Sequence, residues 1–140
     1  MLKSFWLEDA ATERHKVDEL SGLIAKYPDA QIGVSDASHY RDTNYRPIAV
    51  FHGAYPHIDL TAWTDLAYAG VPESTIEWMI ARWRVPVWIL PGGEPFSISN
   101  YYTGKPTFSD HFRRTFLANY TPAESSQFYH VWVCKPAPGF

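Results

Sequence analysis

At 140 residues with a formal net charge of −3, the chain has the length of one ordinary domain able to bury a single core. An apolar fraction of 46% against 19% charged residues excludes disorder, and the scattering of both charge signs excludes a nucleic-acid footprint. The single cysteine, Cys134, excludes an internal disulfide framework and a thiolate metal cluster.

No run approaches the roughly 18–20 apolar residues that a bilayer span needs. The opening Met1–Leu7 meets Glu8 and Asp9 too soon to form a signal-peptide core. Leu2, Phe5, Trp6 and Leu7 suit either docking on the core or a membrane–water boundary, so residues 1–8 read as a docking or juxtamembrane segment. Residues 1–140 form one domain, without repeats or low-complexity linkers.

Taken in chain order, Val17, Leu20, Ile24 and Tyr27 recur at helical spacing between Asp9 and Tyr27, and Pro28 ends that helix. Gln31–Ser35 is a short first strand, and Asp36 with Ser38 caps a brief turn over His39 and Tyr40. Arg46–Phe51 is continuously apolar after Pro47 and reads as a second strand covered on both faces, closed by His52 and Gly53. Asp59 caps a helix that buries Leu60, Trp63, Leu66 and Ala67 and stops at Gly70. Pro72 opens the next helix, with Ile76, Met79, Ile80 and Trp83 inward.

Pro86–Leu90 is the third strand, broken by Pro91-Gly92-Gly93. Ser109 caps a helix with Phe112, Phe116 and Leu117 inward and Arg113 and Arg114 outward. Thr121–Glu124 and Phe128–Cys134 form a hairpin turned by Ser125-Ser126-Gln127. Its second strand sets Phe128, His130, Trp132 and Cys134 on one side and Tyr129, Val131 and Val133 on the other. Helices alternating with buried strands predict a Rossmann-like layered α/β domain: a mainly parallel sheet, helices on both faces and a C-terminal antiparallel β-hairpin.

Such sheets bind ligands beyond the carboxyl ends of their strands. Those ends carry Asp36 and His39, His52 and Gly53, and Gly92, Gly93 and Glu94. Known catalytic patterns are missing. There is no GxGxxG or Walker sequence for phosphates, no HExxH, no GxSxG elbow and no paired carboxylates of glycosidase type. No cofactor and no metal site are assigned, and Cys134 reads as a buried, inert thiol. The 6 Trp, 9 Tyr and 8 Phe are first of all core, although polar-tipped aromatics also suit sugar rings and hydroxyls. Tyr40, His57, Asn100 and Tyr102 therefore join Asp36, His39, His52, Gly92, Gly93 and Glu94 as candidate ligand-binding residues.

Several segments carry a resemblance. They are Pro28–Asp36, Tyr45-Arg46-Pro47 with Val50–Gly53, Ile58-Asp59 with Trp63–Leu66, Trp88–Phe96, Asn100–Tyr102, Phe108-Ser109 and Tyr129–Cys134. Over about residues 28–135 the chain resembles the C-terminal soluble domain of multi-spanning bacterial membrane proteins related to dolichyl-phosphate-mannose-protein mannosyltransferases. That resemblance implies an extracytoplasmic, non-catalytic domain attached to the membrane portion of a glycosyltransferase-like parent. A saccharide or lipid-linked sugar acceptor is then its expected partner, and no catalytic residue carries over. Two alternatives stand beside it. One is a small stand-alone α/β enzyme using His39 or His52 as general base in an Asp/His crevice; the other is an assembly module built on exposed aromatics.

Overall fold

Trp88, Ile89 and Leu90 are consecutive and each at most 1% exposed, which requires cover on both faces of the strand that holds them. A computed structural model shows how that cover is supplied. It describes residues 2–32, 50–53, 60–82, 85–97, 99–100 and 102–136. The order is α1 (Leu2–Lys26), β1 (Gln31–Ile32), α2 (Leu60–Tyr68), α3 (Ser74–Ala81), β2 (Val87–Pro91), α4 (Asp110–Asn119), β3 (Tyr120–Ser125) and β4 (Tyr129–Cys134).

The strands lie in the order β1-β2-β4-β3. Antiparallel β2, β4 and β3 form the body of the sheet, and β1 joins through a two-residue parallel pairing of Gln31 with Trp88 and Ile32 with Ile89. The expected mainly parallel, Rossmann-like sheet is therefore wrong. Its cause is the reading of continuous apolar runs as parallel strands. β2 is apolar throughout because helices cover both its faces, whatever the direction of its neighbours.

Side chains alternate across this sheet. Leu20, Leu23 and Ile24 of α1 pack with Ile89, Val131 and Tyr129 on one face. On the other, Trp88, Leu90, Tyr120 and Trp132 meet Trp63 of α2, Ile76 and Ile80 of α3, and Phe112 and Phe116 of α4. The expected sidedness of β4 holds for Tyr129 and Val131 against Trp132, but Phe128 precedes the strand and packs with the α1 cluster instead.

Among the described residues, Phe96 and Phe116 each meet four other rings in the larger cluster, and Phe96 is the one on an unusual backbone. Its ring lies 4.8–5.4 Å from those of Trp88, Phe108, Phe112 and Phe116, edge to face with each. Its backbone sits at φ 57°, a left-handed conformation that bulky residues avoid. Edge-to-face contacts of this kind are worth about 0.5–1.5 kcal/mol apiece beyond area burial, enough together to hold such a backbone.

The helix ends follow local chemistry. α2 closes in a Schellman motif, with Gly70 at φ 92°, its N–H on Ala67 O and the Val71 N–H on Leu66 O at 3.0 Å. Ser109 caps α4, its Oγ accepting from the Phe112 N–H at 3.1 Å, while the Glu73 carboxylate accepts from the Ser109 N–H at 2.9 Å. Several local expectations are corrected. Val50 and Phe51 belong to a helical turn and are 69% and 87% exposed, so the second strand does not reach them; 46–49 lie outside the described residues. Leu66 and Leu117 face outward, at 47% and 45% exposure, since Thr64 and Phe116 take the inner positions. α1 begins at Leu2 rather than Asp9, and so includes most of the segment expected to dock separately.

Candidate functional site

Asp110, Arg113, Arg114 and Leu117 stand at i, i+3, i+4 and i+7 along α4, so they share one face. That face forms one wall of an open groove of about 770 Å³. The loop after β2, Gly93-Glu94-Pro95, lines it too, with Pro122, Ser125, His130 and Trp132 of the hairpin.

A β-bulge decides which hairpin residues reach it. Pro122 pairs with Trp132, but Glu124 pairs with Val131 and Ser125 with His130, because Ala123 is an extra residue between them. Without the bulge Glu124 would share the face of Pro122. With it, Glu124 turns to the α1 side and accepts from Lys26 Nζ at 2.7 Å and Tyr27 Oη at 2.9 Å. Those bonds, with Lys26 first, hold the Glu124 carboxyl below its ordinary value and raise Lys26 and Tyr27 above theirs. Ser125 turns to the groove beside His130.

The groove's charges are unevenly matched. Arg113 donates to Asp110 and lies 3.8 Å from Glu94, so both carboxylates are drawn to one guanidinium. Arg114, exposed and one residue on, has no hydrogen bond or ion pair among the described residues. The His130 imidazole likewise has no such partner there, and its Nε2 lies 3.6 Å from where a side-chain carbon at position 92 would sit. Gly92 continues the ladder, donating to Phe128 O at 2.8 Å, while Gly93 makes the reversal at φ 105°. The Trp132 indole, 7% exposed, sits opposite Pro122 at the base of the groove.

Gly93 and Glu94 thus reach the groove among the residues singled out from the sequence, and Gly92 is not part of its lining. Asn100 and Tyr102 lie apart. Asn100 is 6% exposed; its amide donates to Thr64 O at 3.4 Å and accepts from the Tyr102 N–H at 2.8 Å. Tyr102 stacks on Tyr68 with centroids 4.4 Å apart and donates to Asp65 Oδ1 at 3.0 Å. His52 is exposed in the turn after Val50-Phe51 and follows no strand. Asp36, His39, Tyr40 and His57 lie outside the described residues.

Sequence reasoning passed over Asp110, Arg114 and His130. A helix stripe and an alternating strand were legible, but nothing in the sequence says that they face one another. No trio of His, Cys, Asp and Glu among the described residues could hold a metal ion. Cys134 is half-buried, donates to Val85 O at 3.6 Å, and burial pushes its thiol above the ordinary value.

No family model, curated protein or solved structure matches the chain. The resemblance to glycosyltransferase-associated domains finds no counterpart in these comparisons, and the Rossmann-like fold it accompanied is replaced by the antiparallel sheet. Among the described residues no helix is long and apolar enough to cross a membrane.

Proposed function

We propose that this chain is a non-catalytic recognition domain whose α4–hairpin groove binds a saccharide. The observation that carries this reading is the groove's composition. Apolar Trp132, Pro95, Pro122 and Leu117 share one concavity with the polar tips of Glu94, Arg114, Ser125 and His130. Sugars present the same combination, with apolar C–H faces between hydroxyls. A volume near 770 Å³ suits a few rings, within the range of small-ligand sites.

Two features favour binding over chemistry. The groove's carboxylates both turn to Arg113, and among the described residues His130 has no carboxylate or carbonyl to orient its ring, as a general base ordinarily has. An extracytoplasmic position, where glycans are displayed, belongs to the same proposal.

The test is titration of the intact chain with a panel of defined oligosaccharides, followed by NMR at the Trp132 indole and His130 imidazole. Saturable shifts at both groups with the sugar recovered unchanged are expected. Silence across the panel, or formation of product, would overturn the reading.

A further inference from the structure

The groove's charge pattern narrows the class of sugar. Asp110 and Glu94 are both drawn to Arg113, leaving Arg114 as the cation on the same helix face with no protein partner among the described residues. His130, across the groove on β4, is a second nitrogen donor or acceptor without a partner there. An unmatched guanidinium beside an apolar base is suited to a planar anion, which it can hold through two parallel N–H bonds.

We propose that the groove is selective for an acidic saccharide, a sugar bearing a carboxylate of the uronate type, with Arg114 reading the carboxylate. This inference rests on the saccharide reading above and adds the charge of the ligand. A carboxylate is favoured over a phosphate ester because Glu94 and Asp110 stand on the same rim. One unpaired guanidinium matches a monoanion, whereas the second charge of a dianion would stand uncompensated beside those carboxylates. An added peptide strand is disfavoured at the neighbouring edge: β3 carries Pro122, which has no N–H to offer, and a bulge that breaks the ladder.

The experiment is calorimetric titration of the full chain with trigalacturonic acid, its carboxyl-reduced neutral counterpart and a sugar 6-phosphate. Each is run on the wild type and on Arg114→Gln, with Arg114→Lys to separate loss of charge from loss of the planar fork. The wild type is expected to bind the uronate at least about tenfold more tightly than the neutral sugar. Arg114→Gln should remove that preference, so that uronate and neutral sugar bind the variant equally, with Arg114→Lys between the two. Because Arg114 is exposed and has no hydrogen bond or ion pair among the described residues, folding of the variants is checked simply by unchanged thermal midpoints.

Equal affinity for acidic and neutral sugars would overturn this inference while leaving the saccharide reading intact. Tighter binding of the phosphate, or a uronate preference that survives Arg114→Gln, would overturn it as well. Binding of none of the three would defeat both the inference and the reading beneath it.

Discussion

Glu19 of α1 accepts hydrogen bonds from the backbone N–H groups of Phe128 and Tyr129 at 2.8 and 3.1 Å through one carboxylate oxygen, which also takes the Ser126 hydroxyl. A side chain more than a hundred residues away thus satisfies the donors at the hairpin turn and fixes the hairpin against the helix. Hydrogen bonds to a charged acceptor contribute roughly 1.5–3 kcal/mol where partly buried. Glu19→Ala should therefore lower unfolding free energy by about 2–3 kcal/mol in urea titration, and Glu19→Gln, which keeps one acceptor oxygen, by less. Equal losses for the two would mean that a neutral acceptor oxygen cannot hold the turn, and no loss in Glu19→Gln would mean that the charge is not what matters.

The pairing of Glu124 with Lys26 and Tyr27 makes a directional claim about pH. Glu124's carboxyl is lowered, so its contribution is present above the unfolded value near 4.3 and is lost as pH falls through the lower folded value. Lys26 is raised, so its contribution is present below about 10.4 and is lost as pH rises through the higher folded value. Glu124→Gln should flatten the fall in stability at both ends. Denaturation midpoints measured from pH 3 to 11 would show it, and unchanged limbs would refute the coupling.

At the other end of β3, burial pushes the Tyr120 phenol up to about 12, partly opposed by the Trp88 indole. The hydroxyl donates to Val85 O at 2.6 Å. Between about pH 10 and about 12 the unfolded chain ionises this phenol and the folded chain does not, so stability declines across that window. Tyr120→Phe should lose that hydrogen bond at neutral pH and show a shallower alkaline decline. Spectrophotometric titration near 295 nm is expected to find one tyrosine whose ionisation in the folded chain is delayed to about pH 12.

Phe96 joins a strained backbone to a ring that meets four other aromatic rings. Phe96→Ala should cost about 3–5 kcal/mol, as truncation of buried aromatics does. Phe96→Gly should cost about 1 kcal/mol less, since glycine accepts the positive φ that alanine does not. That order reverses the usual one, and finding alanine the milder change would remove the claim of strain.

Thr107 presents the opposite case, a buried hydroxyl oxygen with no hydrogen-bond partner among the described residues. Thr107→Val removes the unpaired group at nearly constant shape and should raise stability by about 1 kcal/mol, read from the shift in denaturation midpoint. A destabilised variant would mean that the hydroxyl is satisfied in solution.

The sequence by itself determined the local elements wherever periodicity and punctuation agree. The Leu20–Ile24 stripe, Gly70 as a left-handed stop, the Ser109 cap and the alternation from Tyr129 to Trp132 need only neighbouring residues for their logic. Strand direction was not among these. An apolar run such as Val87–Leu90 records that both faces are covered and is silent on which way the adjacent strand runs. The tertiary structure also decided the groove, because it depends on two long-range facts: α4 lies across the hairpin, and one extra residue at Ala123 turns Ser125 inward and Glu124 away. Gly93 and Glu94 were legible as a strand-end loop, whereas Arg114 and His130 acquired a shared site only once helix and hairpin packed together. Contacts between residues close in sequence can be read from the chain, but those between distant residues exist only when the core has brought them into register.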